Sequence, residues 1–345
     1  MSMTPNQLTP ELTIIFLLSV AAFVLSMALT PLYTFFAYRY KFWKKQRKTS
    51  VTGEALEIFT KLHAKKFLRP IPTMAGVIGI TAITVVTLTA NLDRGQTWLP
   101  LAALIGGGMV GLIDDIINVR GNGSGVAGLR SSLKFVLIII GALALGWFFY
   151  SRLGYQNIHV PYLGDIALGW GIVPLFVLAV VSTGNAVNIS DGLDGLAGGL
   201  LLASFSFFGV IALLQGQSYL AGFCFTVGGA LLSYLWFNIY PARFFMGDVG
   251  SFAYGMALGV VAMLTNSLLL LPIIGLLFVV EAGSSLIQVI SKKYFHRKIF
   301  ISAPIHHHLE AMGWPETKVT MRFWVIACVV GFIGLMVAIT GGHIV

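Results

Sequence analysis

Acidic side chains are scarce in this sequence. There are 13 Asp and Glu among 345 residues, and charged residues of both signs reach only 10%. A soluble chain averages about 25% charged residues, so the two soluble domains that the length alone would suggest are excluded. Cysteine is nearly absent too. Cys224 and Cys328 both fall in apolar runs, where they act as small packers, and they offer neither a disulfide framework nor metal spacing. No low-complexity tract, linker or soluble domain interrupts the chain, so residues 1–345 read as one membrane domain. The N-terminal MSMTPNQLTPEL has no basic n-region, and the first apolar run is therefore expected to stay in the protein.

Apolar residues are plentiful: 57% of the chain, with a mean hydropathy of +0.87. Lipid is the solvent such a composition requires. A spanning helix needs roughly 20 apolar residues, and ten candidates stand at 12–38, 71–91, 97–113, 132–150, 168–187, 195–215, 218–238, 251–265, 267–290 and 322–341. These runs are continuous rather than alternating, which excludes a transmembrane β-barrel. The 39 glycines suit close packing between membrane helices.

The net charge of +9 would suggest nucleic acid in a soluble protein. Here the loops after the odd-numbered spans hold 20 of the 22 basic residues, with only Arg94 and Arg152 on the other side. Basic loops stay cytoplasmic, so both termini are expected outside. The charge is mainly a topology signal, and nucleic-acid binding is a poor reading.

Nine of the 13 acids fall on the same cytoplasmic side, five of them where spans end. GLIDDIINV carries Asp114 and Asp115, NAVNISDGLDGLAGG carries Asn188, Asp191 and Asp194, and WFNIYPARFFMGDVGS carries Asn238, Phe244, Phe245 and Asp248. SAPIHHHLEAMGW adds His306, His307 and His308. Each group has a plain alternative. Asp191 and Asp194 could cap the next helix, Asp248 could be a turn residue, and three histidines are usually solvated. Asp114 and Asp115 are harder to dismiss, since acids at a helix C-terminus oppose its dipole. Carboxylates without thiolates suit Mg²⁺ or Mn²⁺. A hard metal beside cations at a lipid boundary points to phosphoryl chemistry with a lipidic substrate. Glu281, inside an apolar span, is costly there and is either functional or a helix-to-helix hydrogen bond.

NISDGLDGLAGG, FFMGDVGS, the aspartate pair and PIHHHLEAMGWPETKVTMRFW together resemble the phospho-N-acetylmuramoyl-pentapeptide transferases. These belong to the polyprenyl-phosphate N-acetylhexosamine-1-phosphate transferase superfamily. The likeness covers nearly the whole chain. It implies an all-α polytopic protein of about ten spans in the bacterial cytoplasmic membrane, with periplasmic termini and a cytoplasmic-face active site. It also implies transfer of phospho-MurNAc-pentapeptide from UDP-MurNAc-pentapeptide to undecaprenyl phosphate, giving lipid I and UMP, with Mg²⁺ and a homodimeric state.

By this resemblance Asp248 matches the magnesium aspartate, with Asn188 as an added candidate, and Asp114 and Asp115 match the catalytic pair. Asn188, Asp191, Asp194, Asn238, Phe245, Gln288, His306, His307 and His308 fall around the substrate pocket, and Lys134 matches a lysine at the start of the fourth span. Two positions depart from the family pattern. Asn118 stands where a lysine is usual, and KKFLRPIPTMAG replaces a conserved-type lysine motif, leaving Lys66 or Arg69 as the substitute cation. The rival readings are a sister transferase using UDP-GlcNAc, a secondary transporter, whose polar groups belong at mid-membrane, and a non-catalytic scaffold.

Overall fold

The computed structural model describes residues 5–43, 70–121, 129 and 131–344. Lys66 and Arg69 lie outside the described residues. The helices are α1 (Pro5–Arg39), α2 (Gly76–Ala90), α3 (Trp98–Arg120), α4 (Ser131–Ser151), α5 (Ile172–Ser190), α6 (Leu196–Leu214), α7 (Ser218–Asn238) and α8 (Gly247–Leu264). After α8 come α9 (Leu271–Ile274), α10 (Leu276–Phe295), α11 (Ile305–Ala311) and α12 (Glu316–Thr340). A hairpin of β1 (Asn157–Val160) and β2 (Gly164–Ala167) sits between α4 and α5. Among the described residues eight helices are long and apolar enough to cross a membrane, or nine if the bent pair of Leu268–Ile274 and Leu276–Phe295 is one span. The shorter apolar helix α2 accounts for the remaining run of the sequence. The chain is an integral membrane protein.

Burial explains the arrangement. In α8, 94% of the apolar window is buried, against 22% in α1 and α4 and 28% in α12. The outer helices expose large apolar side chains such as Phe16, Trp147 and Phe332, a surface that water would not tolerate at this extent. The central helix α8 packs on α3 and α5. Gly111 sets the closest approach, because a Cβ there would collide with the Asp248 carbonyl. Backbones of α3 and α8 thus meet at the residues that matter chemically.

Three elements differ from the sequence expectation. Helix α3 runs on to Arg120 instead of ending at 113, so both aspartates lie within it. It can do so because each carboxylate is received by another element, while Ile113 and Ile117 keep an apolar outer face. Helix α8 begins at Gly247 rather than 251. Gly247 has φ +76, and a Cβ on it would lie 2.5 Å from Asp115 Oδ2. That carboxylate accepts from Val249 N at 3.1 Å, so an acid on α3 satisfies one free N–H of the α8 start. The capping alternative for Asp191 and Asp194 is not seen. The α6 N-cap is Gly195, with no side-chain cap.

The span that begins at Leu268 bends sharply after Pro272. The two halves of this span meet at 81°, with Gly275 between them. The hairpin was not read from the sequence, since its strands have only four residues each and carry no long alternation. Its contacts are at the end of the bundle opposite the aspartates, where His159 N donates to Asn266 Oδ1 at 3.0 Å.

Candidate active site

Asp114, at 4% exposure, collects three donors. Leu129 N donates to its Oδ1 at 2.8 Å, and Asn118 Nδ2 and Lys134 Nζ reach its Oδ2 at 3.0 and 3.3 Å. Lys134 also reaches Asp248 Oδ2 at 2.8 Å. One cation from the first turn of α4 therefore joins the C-terminal part of α3 to the first turn of α8. Asn118, standing at the departure from the family pattern, donates to the same carboxylate that Lys134 pairs with. Lys134 itself supplies the positive charge.

Asp248 is the more accessible acid, with a side chain 15% exposed against 6% for Asp114. It lies near the N-terminus of α8, where helix N–H groups favour negative charge. One turn on, Ser251 Oγ accepts from Asn188 Nδ2 at 2.8 Å. That bond fixes the Asn188 amide and leaves its oxygen as the acceptor end.

The loop from Asp191 to Gly195 is strongly braced at its second half. Asp194 Oδ2 accepts from Ala242 N at 2.9 Å, and Asp194 N donates to Glu316 Oε1 at 2.6 Å. Thr320 Oγ1 and Trp324 Nε1 donate to the carbonyls of Asp194 and Gly195 at 3.2 and 3.1 Å. Asn238 accepts from Gly195 N and donates to Phe244 O, both at 2.9 Å. Asn238 and Asp194 thus hold two loops together. Phe245 is half-buried, its backbone clamped to Pro72 O and Ala75 N at 2.8 and 3.0 Å.

The three histidines are not equivalent. His306 is fully buried and its Nδ1 lies 2.7 Å from Glu281 Oε2. His307 Nδ1 lies 2.7 Å from Glu310 Oε2. Each contact places one hydrogen between a ring nitrogen and a carboxylate oxygen. His308 Nδ1 instead accepts from Ile301 N at 3.2 Å, which leaves hydrogen on Nε2 in its neutral form. Gln288 Oε1 accepts from Ile299 N and Phe300 N, and its Nε2 donates to Phe300 O, at 2.9–3.0 Å. Gln288 and His308 therefore shape the segment that leads into α11.

The sequence-derived residues accordingly form two linked groups: Asp114, Asp115, Lys134, Asn188 and Asp248 around α8, and Asp191, Asp194, Asn238 and His306 around the loop before α6, while His307 pairs with Glu310 and His308 and Gln288 hold the segment at 299–301. Glu310, Glu316, Thr320 and Trp324 were not singled out. The first two were the only other acids on the basic side of the helix-connecting segment after α10, which was the available signal.

No group of three or more His, Cys, Asp or Glu among the described residues is placed to enclose a metal ion. Mg²⁺ needs no such cage, since it commonly takes one or two carboxylates with substrate phosphates and water. The accessible Asp248 carboxylate and the Asn188 oxygen are hard donors of that kind, so the residues fit.

Residues 97–266 match glycosyl transferase family 4. The chain is 36% identical to a phospho-N-acetylmuramoyl-pentapeptide-transferase of Chloroflexus aurantiacus over 99% of its own length and 94% of the relative's. It is 37% identical to the proteins of that name from Desulfotalea psychrophila, over 92% of this chain and 90% of the relative, and Geobacillus sp. strain WCH70, over 93% and 96%.

Proposed function

Because the chain belongs to the phospho-N-acetylmuramoyl-pentapeptide-transferase family, we propose that it transfers phospho-MurNAc-pentapeptide from its UDP carrier to undecaprenyl phosphate. The products are lipid I and UMP. The site lies at the cytoplasmic face of the bacterial inner membrane, both termini face outward, and the protein works as a homodimer. The observation that carries this reading is Lys134 joining Asp114 to Asp248 at one end of a lipid-exposed bundle. Two anionic substrates, one of them lipidic, need that combination of cation, acids and membrane boundary.

A phosphate monoester has a second pKa near 6, so the acceptor needs little deprotonation at pH 7. The difficulty is bringing that dianion to a negatively charged diphosphate. Lys134 is free to exchange a carboxylate for a phosphate oxygen as substrates enter, lowering their repulsion. Asp114, held by three donors, orients Lys134 and the acceptor phosphate, and takes a residual proton where one remains. Mg²⁺ held by Asp248 and Asn188 would neutralise diphosphate charge and stabilise the UMP leaving group. Phe245 offers a ring face for the uracil, and the Nε2–H of His308 a donor.

Purified protein with Mg²⁺, polyprenyl phosphate and either UDP-MurNAc-pentapeptide or UDP-GlcNAc tests the reading through UMP release. Release with the muramoyl substrate alone supports it. Release with UDP-GlcNAc alone identifies the sister activity, and release with neither rejects transfer.

A further inference from the structure

Glu281 lies within the apolar helix α10 at 0% exposure, and its partner His306 is also at 0%. Burying an ionisable pair costs several kcal/mol per group before pairing offsets it. Apolar residues would hold α10 to α11 with less penalty. A second contact fastens the same two helices. Ile305 N donates to Ser284 Oγ at 3.0 Å, and Ser284 Oγ donates to the Glu281 carbonyl at 2.9 Å. The start of α11 is thus docked on α10 without needing the Glu281 carboxylate for attachment.

The far side of the His306 ring shows what the carboxylate adds. With Nδ1 held against Glu281, Nε2 points to the turn between α5 and α6. It lies so close under Gly192 that a Cβ there would overlap Nε2 and sit 2.8 Å from Cε1. Gly192 is exposed above, while Leu193 and Asp194 are buried at 4% and 3%. The Asp194 side of this turn has the ties to Ala242, Glu316 and Thr320 described above. The Asp191–Gly192 side rests on the imidazole. Asn188, just before it, is fastened to Ser251 beside Asp248.

We propose that Glu281 is a positioning residue, which acts through the buried His306 to set the Asp191–Gly192 turn beside the diphosphate end of the site. This rests on the proposed transfer reaction. Glu281 touches no substrate. It fixes the plane of the His306 ring, and the ring in turn sets the height of the turn. Gly192 is required because only hydrogen fits over Nε2.

The test uses full-length protein in the UMP-release assay, with Tm measured in the same detergent. Glu281→Gln keeps the shape of the side chain and an amide that can hydrogen-bond Nδ1 in either tautomer, and should stay within about threefold of wild type. Glu281→Ala and Gly192→Ala should each raise KM for the UDP-linked substrate about tenfold, with KM for polyprenyl phosphate unchanged. Because both act through one ring, the double variant should be no worse than the poorer single. A wild-type KM in Gly192→Ala, losses that multiply, or a Gln variant as poor as Ala would each overturn the proposal. Gly192→Ala keeps the test open should Glu281→Ala not fold, since it alters an exposed turn.

Should wild-type protein release no UMP, the transfer reading fails by itself. The positioning claim is then read from ¹⁵N-histidine spectra in bilayers. Glu281→Ala and Gly192→Ala should both move the His306 nitrogen resonances, and an unmoved His306 in either would reject it.

Discussion

Lys134 Nζ lies 2.8 Å from Asp248 Oδ2, across 114 positions of sequence, and 3.3 Å from Asp114 Oδ2. Removing one partner of such a pair leaves the other charges facing each other, which costs more than the pair contributes. Lys134→Met should therefore cut turnover by about a hundredfold or more and also lower Tm, because Asp114 and Asp248 lose the cation between them. A Met variant with near-normal kcat would remove Lys134 from the chemistry.

Asp248 is the proposed magnesium ligand, so two measurements should move together. Asp248→Asn should abolish UMP release, and it should also remove any rise in Tm that Mg²⁺ gives wild-type protein, as ligand linkage requires. An Asn variant that still responds to Mg²⁺ in both readouts would place the ion elsewhere.

Gly111 faces the carbonyl of Asp248, and an added Cβ would meet backbone that has nowhere to move. Gly111→Ala should destabilise the fold by about 1–3 kcal/mol through overpacking. It should also lower kcat, because relief requires α8 to shift and carry Asp248 with it. Loss of stability with wild-type kcat in the folded fraction would separate packing from positioning here.

These relationships mark what the sequence could and could not reveal. Apolar runs have a length set by the bilayer, so the eight long apolar helices and the bent pair among the described residues were legible. The acids were legible because carboxylates are rare where hydrocarbon ends. Partners were not. Nothing in the local pattern joins Asp115 to Val249 N, or Glu316 to Asp194 N, since both bonds depend on how distant helices meet. The end of α3 was misplaced for the same reason. Two consecutive aspartates oppose a helix C-terminus only when no other element receives them. His306 shows the limit most clearly: as one of three identical residues it could not be told from its neighbours, and only packing separates its buried ring from those of His307 and His308.

The opposite end of the bundle carries a histidine pair whose behaviour with pH follows from its surroundings. His343, beyond the end of α12, is 9% exposed. Its ring stands against His159 with centroids 4.3 Å apart, and its Nε2 lies 2.6 Å from Ser267 Oγ and 3.1 Å from Thr265 O. His159 in turn lies 2.7 Å from Asp165. Burial, followed by the neighbouring His159, pushes the His343 pKa below the usual histidine value of 6.5, against smaller opposing effects of the Thr265 carbonyl and Asp165. A histidine with a lowered folded pKa binds fewer protons when folded than when unfolded between the two values. Stability must then rise with pH across that window and fall on acidification. Tm should therefore drop as pH is lowered from 7 through 6.5 and below, and His343→Gln, which can still meet Ser267, should show a shallower drop. An equal slope in wild type and variant would assign the acid sensitivity to other groups. Because this cluster ties the hairpin to the Thr265–Ser267 turn that leads into the bent span, the effect should appear in Tm while UMP release from the folded protein, at the other end of the bundle, keeps its own pH profile.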